Sequence, residues 1–77
     1  MKLIKFGGEG ICRIVSDQIA SYWKKKSILI VNIKPTEIFT HEFDAEEDCD
    51  RVLDEIDKIM LLSKETEGIF EIKLEQP

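Results

Sequence analysis

The chain holds one histidine, two cysteines and a single tight cluster of glycines, and a catalytic or ligand site would have to be assembled around them. His41 lies between Phe39 and Phe43 at strand spacing, with no serine or cysteine near it in sequence whose proton the imidazole would take. A lone imidazole between aromatics reads as a partly buried structural residue. Cys12 falls on an expected strand and Cys49 on the apolar stripe of an expected helix. Buried free thiols in a reducing compartment are the plain reading, and one disulfide between them stays open. Metal ligands would have to cluster, and they do not. The glycines, in Gly7-Gly8-Glu9-Gly10, could cradle a phosphate, because uncovered backbone amides approach an anion closely. Neither GxxxxGK(S/T) nor GxGxxG is present, and a strand rather than a helix follows. The cluster therefore reads as a hairpin turn in which glycine supplies positive φ. No catalytic, cofactor-binding or metal-binding residue is assigned, and the chain is expected not to be an enzyme.

Charge is the stronger signal. Residues 1–34 carry seven Lys or Arg against Glu9 and Asp17, a balance of +5, whereas residues 35–77 carry four against fourteen acids, a balance of −10. Two surfaces follow from this. Glu47, Asp50, Asp54, Glu55 and Asp57 crowd one side of an expected helix and would dock a protein with a basic surface, raising the rate of encounter and fixing orientation. Arg13, Tyr22, Trp23, Lys24, Lys25 and Lys26 combine cations with aromatics, as a nucleic-acid patch would. The overall charge of −5 argues against a polyanionic partner. Each surface also has a plain reading: acidic helix faces keep small proteins soluble, and lysines at a hairpin tip block edge pairing.

The element that must carry the acidic surface spans residues 44–62, DAEEDCDRVLDEIDKIMLL. Cys49, Val52, Leu53, Ile56, Ile59 and Met60 recur at steps of three and four, one stripe of a 3.6-residue helix, and Ala45 extends it backward. Asp44 is expected as N-cap, with Glu47 reaching back as in a capping box. Glu47 with Arg51 and Asp54 with Lys58 are acid-before-base pairs at i,i+4. Leu61 and Leu62 fall off the stripe. Either the helix frays near Met60, or these side chains meet a second copy or, as expected, the C-terminal strand.

The rest reads as strands. MKLIKF and ICRIV come first, then residues 19–24, with Ile19 and Trp23 on one parity and Tyr22 on the other. SILIVNI is apolar on both parities and so is expected at the centre of a sheet. After a turn at Lys34-Pro35-Thr36-Glu37, residues 38–43 place Phe39, His41 and Phe43 on one face. IFEIKLE forms a last strand, and Gln76-Pro77 is expected to fray. The expectation is one α+β domain over residues 1–77: an antiparallel β-meander of about four strands, one amphipathic helix packed on it, and a C-terminal strand. A single helix covers one sheet face only, so the other face of the central strand needs a different cover, a second copy among the candidates.

This order of elements, with Ser16-Asp17-Gln18-Ile19 opening a strand, a basic tip at Lys24-Lys25-Lys26 and a strand running directly into an acidic helix, resembles the small flagellar FlbD-like proteins and similar short bacterial or phage-borne proteins over residues 1–60. Here Ser16-Asp17-Gln18 stands where that family usually has Asn-Pro-Asp, and Pro35 stands in place of a turn glycine. The resemblance implies the meander-plus-helix layout and a flagellar or regulatory role. The expected function is that of a small non-enzymatic interaction or regulatory domain docking through its acidic helix face. The alternatives are a nucleic-acid module using Arg13, Trp23 and Lys24, Lys25 and Lys26, or a small enzyme whose site forms from residues distant in sequence. No apolar run approaches the roughly 20 residues of a membrane span. Without a continuous apolar stretch near the N-terminus to act as a signal, a cytoplasmic location is expected.

Overall fold

The computed structural model describes residues 1–7 and 11–74, so most of the expected glycine turn and the expected frayed end at Gln76-Pro77 lie outside the described residues. Within them the elements follow as β1 (Lys2–Gly7), β2 (Ile11–Val15), a 3-10 turn (Ser16–Gln18), β3 (Ile19–Lys25), β4 (Ile28–Ile33), β5 (Glu37–Glu42), α1 (Glu46–Met60) and β6 (Gly68–Ile72). The domain is α+β. An antiparallel meander, one helix and a C-terminal strand are all present, and five strands precede the helix. These strands divide between two three-stranded sheets, β2-β1-β6 and β3-β4-β5. In the first, β6 lies parallel to β1, with Ile4 opposite Phe70 and Phe6 opposite Ile72. In the second, β4 is central, pairing with β3 on one side and β5 on the other.

The two sheets and the helix share one core. β1 contributes Ile4 and Phe6, β4 contributes Leu29 and Val31, and α1 contributes Cys49, Val52, Ile56 and Ile59, all buried. The Phe6 and Phe39 rings, 5.3 Å apart, join the mixed sheet to the meander directly. The helix stripe read from the sequence is the stripe that is buried, with Leu53 and Met60 half-buried at its margins. The helix ends at Met60. Leu61 is 85% exposed and Leu62 40%, so neither is buried against the C-terminal strand as expected.

Three local details differ from the sequence reading. The N-cap is Ala45, in extended conformation and with no side-chain capping bond, not Asp44. Pairing of the Phe43 N–H with the Ser27 carbonyl at 2.9 Å carries extended chain past β5, and the first helical residue is then Glu46. On the helix, Arg51 pairs with Glu55 at 3.1 Å instead of Glu47, because its guanidinium also reaches forward to the Lys73 carbonyl at 2.9 Å. Asp54 and Lys58 close no ion pair among the described residues.

The third difference decides which residues of β3 face the helix. Ile19 pairs with Ile33 but Ser21 pairs with Asn32, so Ala20 is the extra residue of a bulge. A bulge inverts side-chain parity beyond it. Ile19 is buried while Trp23, expected on its face, is 43% exposed, and Tyr22 and Lys24 turn inward toward α1.

Candidate interaction surface

Of the five acidic residues expected to meet a partner, Glu47, Asp50, Asp54 and Glu55 line one shallow groove along α1 together with Arg51 and Lys58. Asp57 takes another role. Its carboxylate accepts a 2.6 Å hydrogen bond from the Tyr22 hydroxyl on β3. Burial, with the Asp57 carboxylate beside it, pushes the Tyr22 phenol up to about 12.

Lys24, two residues along the same face of β3, bridges Glu46 at 2.8 Å and Asp50. These two carboxylates raise the Lys24 ammonium well above its ordinary value. Three members of the acidic face are therefore held from within the molecule: Asp50 by Lys24, Asp57 by Tyr22 and Glu55 by Arg51. Glu47 and Asp54 are exposed and close no ion pair among the described residues. They form the outer line of the helix, two turns apart.

The basic patch is not brought together. Tyr22 and Lys24 face the helix, Trp23 and Lys25 face the opposite side of the sheet, and Arg13 stands on β2 of the other sheet, opposite Lys5. Sequence reasoning missed both ties from β3 to α1. Their signal was the shared parity of Tyr22 and Lys24, hidden by a bulge that no residue pattern announces.

His41 packs edge-on against Phe43 at 4.6 Å, a contact within one strand face. Cys12 and Cys49 are both free, and burial pushes both thiols up, which makes them poor nucleophiles near neutral pH. Among the described residues no three His, Cys, Asp or Glu side chains are grouped to hold a metal. No described helix is long and apolar enough to cross a membrane. Compared with protein-family models, curated proteins and solved structures, the chain matches none.

Proposed function

We propose that this α+β domain is a non-enzymatic protein-interaction module, regulatory or accessory to a larger assembly, that docks a basic protein surface through the exposed ridge of α1. The observation that carries the reading is the state of the carboxylates. The helix bears seven acids against Arg51 and Lys58. Lys24, Tyr22 and Arg51 hold Asp50, Asp57 and Glu55 in place, while Glu47 and Asp54 point outward and close no ion pair among the described residues. Lys24 and Arg51 already meet the charge of Asp50 and Glu55, so the outward Glu47 and Asp54 carry most of this face's attraction for a cationic surface. The likeness to FlbD-like proteins supports an accessory role in a bacterial or phage assembly. Two free thiols fit a reducing compartment, and the cytoplasm is the proposed location.

The test is a comparison of wild type with Glu47→Lys/Asp54→Lys as baits in the native host, at low and at physiological salt. A partner that uses this ridge is retained by wild type, weakened by salt and lost by the variant. Recovery of the same proteins at the same yield by both baits rules the ridge out as a docking site.

A further inference from the structure

We propose that the outer face of the β3-β4-β5 sheet is the interface of a two-fold symmetric dimer, each copy's face seated on that of a second copy of this chain. The inference is independent of the helix ridge, which lies on the other side of this sheet. It rests on what the register places on the outer face. The middle row is Trp23, Ile30 and Thr40, side by side across the three strands. The row on one side is Lys25, Ile28 and Glu42. On the other side lie Ser21, Asn32 and Ile38.

Three features suit this face to burial. Trp23 is 43% exposed and Ile38 is 66% exposed, and Ile28 and Ile30 stand outside the core cluster that fills the inner face. An exposed tryptophan in an apolar strip marks a contact surface more strongly than scattered aliphatics do. The amide of Asn32 already donates to the Ser21 hydroxyl at 2.9 Å, so these two polar side chains are partnered before any second surface arrives. The remaining charges are one cation and one anion, at opposite edges of the same row, and neither closes an ion pair among the described residues.

That arrangement is self-complementary about one axis only. Facing sheets pack about 10 Å apart with strands aligned to within about 30°. A two-fold axis parallel to β4 sets β3 of one copy over β5 of the other and keeps each row over itself. Lys25 then meets Glu42 of the second copy, Glu42 meets its Lys25, Trp23 covers its Thr40, and Ile30 packs on its own counterpart. An axis across the strands instead inverts the rows and stacks β3 on β3, leaving Lys25 over Ser21 and Glu42 over Ile38, both charges without an opposite. A partner of one charge sign would meet the same mismatch at one edge. The balanced pair selects a second copy.

The experiment is sedimentation of the purified chain over a range of concentrations, with circular dichroism to verify that each variant is folded. Wild type is expected to pass from monomer to dimer, and Trp23→Ala to remain monomeric. Lys25→Glu and Glu42→Lys each place like charges across the axis and should weaken the dimer roughly tenfold or more. Mixed together, these two variants restore opposite charges at both edges, and a heterodimer close to wild-type affinity is expected. Glu47→Lys/Asp54→Lys leaves the dimer unchanged, which separates this interface from the helix ridge. Wild type that is monomeric throughout overturns the proposal, as does a dimer indifferent to Trp23→Ala or a mixture no tighter than either variant alone.

Discussion

At the residue scale, Lys2 ties the chain's beginning to the end of its helix. The residue is only 6% exposed, and its ammonium donates to the carbonyls of Ile59 at 3.2 Å and Leu62 at 3.0 Å. A cation there also meets the negative end of the helix dipole. Lys2→Met keeps the apolar stem but leaves both carbonyls without this donor. The loss should be about 2 kcal/mol, or a fall in Tm of roughly 8–16 °C for a domain of this size. Lys5→Met, on the opposite parity of β1, is the control and should change stability by less than about 0.5 kcal/mol; equal melts for the two variants would refute the tie. Tyr22 offers a second test, since it is the chain's one tyrosine and absorbance of its phenolate reports on this site alone. Folding raises its pKa from 10.0 to about 12, so the neutral phenol is the form the fold prefers. Its contribution to stability is fully present below pH 10 and is lost as pH rises through about 12. Lys24, also raised, acts in the same direction. The native phenol should titrate near 12, and Asp57→Asn should lower that midpoint; a wild-type midpoint near 10 would show that the bond to Asp57 does not form in solution.

At the element scale, the helix owes its place to its buried stripe and little to its start. Ile56 is fully buried at the centre of that stripe, and Ile56→Ala should cost about 2–5 kcal/mol through lost burial and the cavity left behind. The N-terminus is under-built by comparison. Asp44 is the better capping residue by type, but Ala45 occupies the position and has no side-chain oxygen to offer the first-turn amides. Asp44→Ala should therefore cost less than about 0.5 kcal/mol, and Ala45→Ser should add about 0.5–1 kcal/mol by supplying the missing acceptor. Denaturant titrations of the three variants check the ranking, and a large loss on Asp44→Ala would move the cap back to residue 44.

At the scale of the whole molecule, the basic first half and the acidic second half do not stand as separate poles. β3 carries Lys24 and Tyr22 against the acidic helix, so part of the opposition is resolved as intramolecular contact, and part of the surplus lies on the outward line of Glu47 and Asp54. Reversing those two should leave stability within about 0.5 kcal/mol of wild type, since both are exposed and neither closes an ion pair among the described residues, and the melt of Glu47→Lys/Asp54→Lys checks it. Glu55 is left alone in that design because it holds Arg51.

Much of this architecture was legible along the chain. Cys49, Val52, Ile56 and Ile59 repeat with the helical period, and period alone identifies the face that must leave water. The doubly apolar SILIVNI identified β4 as central, and the alternation of Phe39, His41 and Phe43 marked the inner side of β5. These are local properties, set by which side chains water rejects. What only the tertiary structure decided depends on residues far apart in sequence. The parallel union of β6 with β1 splits the strands into two sheets. The bulge at Ala20 turns Trp23 outward and Lys24 toward the helix. Lys2 finds its carbonyl partners 57 and 60 positions away. Pairing, parity shifts and long-range capping are chosen by the free energy of the assembled core, and no short window of sequence contains that term.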